Sequence, residues 1–141
     1  PEAGINAALA GHFGVPVVML SGDDAITKEA AALLPDLETA TVKWAYGFHS
    51  ARTLTPEAAC ARVREAAKKA IGRMKDFKPY RVTEPVALDL RFKNYRPAEL
   101  LAYLPGIERT DAHTIRFRGG DILEVVRFLE FVTNYEPGLA P

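Results

Sequence analysis

The run Pro16-Val17-Val18-Met19-Leu20 constrains this chain more than any other segment. Consecutive apolar residues bounded by turn formers read as a strand covered on both faces. Such strands belong inside parallel α/β sheets. The expected element is therefore an interior parallel strand over Val15 to Leu20. Ser21-Gly22-Asp23-Asp24 follows as a turn into a helix. Asp23 or Asp24 can accept hydrogen bonds from that helix's first free N–H groups.

The neighbouring segments extend the pattern. Ile5 to Phe13 reads as a short helix with Ile5, Leu9 and Phe13 on one face and Gly14 as its stop. The helix after Asp24 runs to about Leu34 and ends at Pro35. Thr39 to Ala45 alternates, with Ala40, Val42 and Trp44 pointing one way and Thr41 and Lys43 the other. Thr55-Pro56-Glu57 is a helix start, with Thr as cap and Pro at the first helical position. The following helix repeats apolar residues at Ala59, Val63, Ala66 and Ala70.

The character then changes. Lys75 to Pro85 is charged and proline-punctuated, as in a linker or crossover. Val86, Leu88, Leu90 and Phe92 alternate with Ala87, Asp89 and Arg91, a strand with one buried and one wetter face. Pro97 to Leu104 reads as a short helix closed by Pro105-Gly106, and Thr114 to Arg118 as a strand with Ile115 and Phe117 inward. Gly119-Gly120-Asp121 turns into a last helix, Ile122 to Thr133, where Asp121 and Glu124 make a capping-box-like pair. The expected fold is α/β with a mixed sheet: a parallel α/β first half, residues 1–74, and a smaller α+β portion, residues 75–141.

Composition bounds the function. The 18 basic and 18 acidic residues cancel, which argues against a nucleic-acid footprint or a polybasic membrane patch. No run reaches the roughly 18 apolar residues of a membrane-spanning helix. The single cysteine, Cys60, excludes an internal disulfide and fits a reducing cytoplasm. The chain opens at Pro1 without an initiator Met and its first residues already read as a turn into a helix, so the polypeptide is expected to begin upstream.

Candidate chemistry is sparse. His12, His49 and His113 have no ligand-type spacing and read singly as structural or surface residues. Cys60 lies beside a helical apolar stripe and reads as a small buried hydrophobe. Ser21 to Asp24 sits at the C-terminal end of a strand, where α/β sheets bind ligands, but a helix cap is the favoured reading. Glu2, taken by composition and position alone, is an ordinary surface residue.

One resemblance goes further. Glu2-Ala3-Gly4-Ile5-Asn6-Ala7-Ala8-Leu9-Ala10-Gly11, then Val15-Pro16-Val17 and Ser21-Gly22-Asp23-Asp24, resembles the signature of the zinc-dependent D-aminopeptidases of the bacterial dipeptide-operon type. The family pattern there is Glu-x-Gly-φ-Asn-Ala, Ala-Gly, Val-Pro-Val and Gly-Asp-Asp. Leu34-Pro35, Thr39-Ala40 to Val42-Lys43, Leu54 with Pro56, Phe92 to Tyr95, Ala98-Glu99, Pro105-Gly106, Glu108, Thr114 to Phe117, Asp121 and Leu123-Glu124 continue it in order.

The resemblance implies two zinc ions held by ligands spread along the polypeptide. An Asp-x-Glu pair and histidines lie ahead of this segment, and the Glu of Glu-x-Gly-φ-Asn-Ala comes last. Only that last ligand transfers, as Glu2; no catalytic residue does. His12, His49 and His113 lie downstream of Glu2 and do not match the family's histidines. The implied protein is the C-terminal half of an aminopeptidase acting on D-amino-acid peptides. Its implied partners are an N-terminal half of the same protein, a peptide substrate and further copies in a ring-stacked decamer. The alternative is a non-catalytic α/β module for binding or oligomerisation.

Overall fold

The computed structural model describes residues 2–134. The start at Pro1 and the last stretch of the second portion, 135–141, lie outside the described residues. The chain divides into two compact units after Arg81. Among the described residues no helix is long and apolar enough to cross a membrane.

The first unit opens with α1 (Glu2–His12), then β1 (Met19–Asp23), α2 (Asp24–Leu33), β2 (Glu38–Gly47), β3 (Ser50–Thr53) and α3 (Pro56–Gly72). A single 3-10 turn follows at Met74–Asp76. Its sheet has the order β1-β2-β3, with β1 and β2 parallel and β2 and β3 antiparallel. The expected mixed α/β class is therefore met.

Local expectations need correction. The strand begins at Met19, not Val15, and among the described residues β1 is an edge strand rather than an interior one. Pro16 has no N–H to give a ladder. Pairing starts only where the Glu38 N–H donates to the Val18 carbonyl, and Val15 is exposed. Ser21, Gly22 and Asp23 belong to the strand, so β1 passes into α2 without a separate turn. The hairpin through β3 was not foreseen. Neither was a short strand at Ile107–Arg109.

The core of the first unit is made mainly of small side chains. Ala7, Ala8, Ala30, Ala40, Ala66 and Ala70 are buried, joined by Leu37 and Phe77. Alanine lets helix and sheet backbones approach closely, so most of the apolar contact falls on Cβ atoms. Arg73 ties the end of α3 to the start of β2. Its Nε donates to Glu38 Oε1 at 2.9 Å, its Nη2 donates to the Asp36 carbonyl, and its guanidinium lies 4.8 Å from the Phe77 ring centroid. Buried Phe77 shows that the charged stretch after Lys75 is packed at its start rather than a free linker.

The second unit comprises β4 (Val86–Arg91), α4 (Tyr95–Leu101), β5 (Ile107–Arg109), β6 (Thr114–Gly119) and α5 (Ile122–Asn134). The sheet order is β4-β6-β5, all antiparallel. Ile115 is fully buried, with Ala98, Ile122 and Val125 also in the core. Phe117 stacks on Phe128 with centroids 4.3 Å apart, fixing α5 on β6. The expected cap forms: the Glu124 N–H donates to Asp121 Oδ1 at 2.9 Å, while Glu124 Oε2 accepts the Gly120 N–H at 2.7 Å. On the open face of this sheet Arg116 donates to both carboxylate oxygens of Asp89 at 2.6 Å.

Candidate functional site

Helix α1 carries the one candidate ligand. Glu2 stands exposed in its first turn, where the free N–H groups and the helix dipole favour a negative charge. The helix does not bury the stripe that its large apolar residues mark. Ala7, Ala8 and Gly11 face inward, while Ile5 and Leu9 are half-buried and Phe13 is exposed. The reason is backbone proximity. A Cβ at Gly11 would fall 1.7 Å from the Tyr80 carbonyl oxygen, so only glycine admits that strand of chain. Gly14, with φ 75°, then ends the segment in the left-handed region.

Asp23 stands at the C-terminal end of β1 and caps α2. Its Oδ1 accepts the Ile26 N–H at 2.9 Å, and Asp24 is the first helical residue. The Thr27 hydroxyl donates to the Asp23 carbonyl at 2.8 Å and lies 2.9 Å from the Thr41 hydroxyl, so the cap is tied to β2. Of the two aspartates that the sequence left open, Asp23 is the cap.

The histidines are scattered. His12 ends α1, about 15 Å along the helix axis from Glu2 at 1.5 Å per residue. His49 lies exposed in the β2–β3 turn against Phe48, and His113 belongs to the second unit. Cys60 is exposed, not buried, because α3 turns Ala66 and Ala70 inward and leaves the Cys60 side on its outer surface. Among the described residues no group of three or more His, Cys, Asp or Glu could hold a metal ion.

A family model described as D-aminopeptidase matches residues 1–131. The chain belongs to the D-aminopeptidase family. A D-aminopeptidase of Bacillus subtilis (strain 168) is 34% identical over 134 residues, covering 94% of this chain and 49% of that protein. A solved zinc-dependent D-aminopeptidase from Bacillus subtilis, described as a self-compartmentalizing protease, superposes with a TM-score of 0.85 at 31% identity. That match covers 96% of this chain and 51% of the other. This D-aminopeptidase family member thus spans about half the length of the relatives it matches.

Zinc provides a test of fit. A zinc ion takes about four ligands, at least three of them from protein in catalytic sites. Glu2 would supply one carboxylate, and no group of three or more His, Cys, Asp or Glu among the described residues could hold a metal ion. The residues present do not by themselves make the family's zinc site. Pattern reading missed two features of the first unit. One is the approach of Tyr80 to Gly11, for which the Gly inside a helical run was the available signal. The other is the Arg73 clamp, whose hydrogen-bond partners Glu38 and Asp36 are 35 and 37 residues away in sequence and leave no local trace.

Proposed function

We propose that this chain is the C-terminal half of a metal-dependent aminopeptidase that hydrolyses N-terminal residues from D-amino-acid peptides. The observation that carries this reading is the near full-length superposition on half of a zinc-dependent D-aminopeptidase. The family match across residues 1–131 favours it over a non-catalytic α/β module. In this reading Glu2 donates one carboxylate to a site for two zinc ions, and the other ligands come from an N-terminal half of the same protein. Asp23 is not a ligand. In the same reading residues 1–74 complete the metal-binding α/β domain, and 75–141 form the smaller α+β portion. In this reading the protein works in the cytoplasm and assembles from its own copies in a decamer; the relative's description as a self-compartmentalizing protease supports assembly.

The test has two arms. The 141-residue chain with added zinc is expected to release nothing from D-alanyl peptides; turnover abolished by a chelator would refute this. In the chain joined to its N-terminal half, Glu2→Gln is expected to keep the fold, lower zinc content and cut activity by orders of magnitude. Full zinc occupancy in Glu2→Gln, measured by elemental analysis, would remove Glu2 from the site.

A further inference from the structure

Strand β1 leaves one edge of its sheet open. Among the described residues it pairs with β2 alone, in parallel, and no strand flanks its other side. Its chemistry does not suit an open edge. Native edge strands are commonly blunted by charges or covered by other chain. β3, at the opposite edge of the sheet, carries Arg52 and is exposed throughout. By contrast, no charged residue lies from Phe13 to Gly22, and Val17, Val18, Met19 and Leu20 are half-buried apolar residues in succession. Asp23, the only charge within β1, is engaged as the cap of α2. The register shift at Gly22 and Asp23 affects only the end of the strand.

We propose that this edge takes a further parallel strand from the N-terminal half, the one that immediately precedes α1 in sequence. The proposal rests on the reading that such a half of the same protein completes the enzyme.

Topology selects that occupant. β1 passes through α2 to β2, its parallel neighbour. Such crossovers are right-handed in about 98% of cases. With the hand fixed, the face on which a crossover helix lies decides the side to which the chain moves. α2 packs on β1 and β2, and α1 packs on α2, so α1 belongs to the layer on that same face. The move into β1 through α1 then runs in the same direction as the move from β1 to β2. That puts the incoming strand on the side of β1 away from β2, which is the open edge. A strand from a second copy could hold this edge only by displacing that crossover.

The direction of α1 agrees. A crossover helix runs antiparallel to its strands, so it ends where they begin. Gly11, near the C-terminal end of α1, lies against Tyr80. Tyr80 follows Phe77, whose ring the Arg73 guanidinium covers while it donates to Glu38, the first residue of β2. α1 therefore ends at the edge where β1 and β2 begin, and its first turn, with Glu2, lies toward the edge where they end. Residues at the carboxyl end of the incoming strand would be the first that the N-terminal half brings to Glu2, at the edge where open α/β sheets bind ligands.

Hydrogen exchange and photo-crosslinking on the chain joined to its N-terminal half test the pairing. With a strand on each side, successive amides of β1 should be protected alike, whereas an open edge would let every second amide exchange about a hundredfold faster. A photo-crosslinker in place of Ser21, which is exposed, should capture a peptide from the roughly 15 residues ahead of Pro1, the length of one strand and one short loop. Protein assembled from isotopically light and heavy chains together should give these crosslinks within one isotope class. Alternating protection, capture of any other segment, or crosslinks joining light to heavy chains would overturn the proposal. Zinc content and turnover of D-alanyl peptides, measured on the unmodified protein, report on the aminopeptidase reading by themselves. A protein that lacks both yet gives the crosslink would refute that reading and keep the pairing.

Discussion

Replacing Gly11 with alanine sets two effects of opposite sign against each other, and the geometry decides the winner. Alanine in a helix is favoured over glycine by about 1 kcal/mol, so at an open site Gly→Ala stabilises. At Gly11 the new methyl would sit 1.7 Å from the Tyr80 carbonyl oxygen and 2.6 Å from its carbon. Both are backbone atoms, so no side-chain rotation relieves the overlap and either α1 or the Tyr80 segment must move. Overpacking of this kind costs about 1–3 kcal/mol and more where backbone is displaced. With the contact at the upper end, the net loss is about 2 kcal/mol after the helix gain is subtracted. For a chain of this size that lowers the melting temperature by about 6–8 °C. Gly72, at the end of α3, has nothing within 4 Å of a built Cβ and no positive φ, so Gly72→Ala is expected to stabilise by about 0.5 kcal/mol. Gly14 has equally open space but φ +75°, so Gly14→Ala is expected to cost about 1 kcal/mol through the backbone alone. Thermal and urea unfolding of the three variants gives the order Gly72→Ala, Gly14→Ala, Gly11→Ala from most to least stable. A Gly11→Ala protein as stable as Gly72→Ala would refute the claim that α1 is held by close backbone approach.

Three further outcomes are expected. Asp23→Ala removes the acceptor of the Ile26 N–H and should cost about 1 kcal/mol in urea unfolding, leaving metal stoichiometry of the complete enzyme intact; zinc loss without unfolding would contradict the capping role. Arg73→Lys keeps the charge but cannot reach Glu38, the Asp36 carbonyl and the Phe77 face together, and should cost about 1 kcal/mol, given partial exposure of the pair; an unchanged urea midpoint would remove the clamp from the account. Hydrogen bonding from Arg116 holds the Asp89 carboxyl below its ordinary value of 3.8, so its stabilising contribution is present above that pH and lost as pH falls through the lowered value. Asp89→Asn should therefore be less stable than wild type at neutral pH, and the difference should close in acid below pH 3.8; a gap that widens in acid would reverse the sign.

What the sequence reveals depends on whether local chemistry and tertiary packing ask for the same residues. At α3 they agree. Thr55 accepts the Ala58 N–H at 3.3 Å, Pro56 opens the helix, and Ala66 and Ala70 of the apolar repeat are buried. At β4 they agree again, and the alternation of Val86, Leu88 and Leu90 is the burial alternation. At α1 they conflict. Hydrophobicity selects Ile5, Leu9 and Phe13 for the inner face, whereas close backbone approach selects Ala7, Ala8 and Gly11. The β2–β3 hairpin has no one-sided signal to read, since both of its faces are exposed from residue 45 onward. A zinc site such as the relative's description implies is not legible here for a different reason: no pattern among the described residues assembles a ligand set, so Glu2 stood out only through the family resemblance.

The structure gives that resemblance a physical partition. Several residues of the signature have work in the fold itself. Gly11 admits the Tyr80 carbonyl, Ala7 and Ala8 fill the contact beneath α1, and Asp23 caps α2. Any chain that folded this way would need residues of those types at those places, whatever it did. Glu2 and Asn6 are different. Both are exposed on α1, and neither side chain donates or accepts a hydrogen bond with another described residue. A position that the fold leaves unused, one turn apart from another such position on the same helix, is where a function would place its polar groups. The two share a face by their spacing of four, so a ligand held by Glu2 would meet Asn6 next. That argues for two layers in the helix: Ala7, Ala8 and Gly11 set it against the fold, and under the proposed function Glu2 with Asn6 would face whatever completes the site.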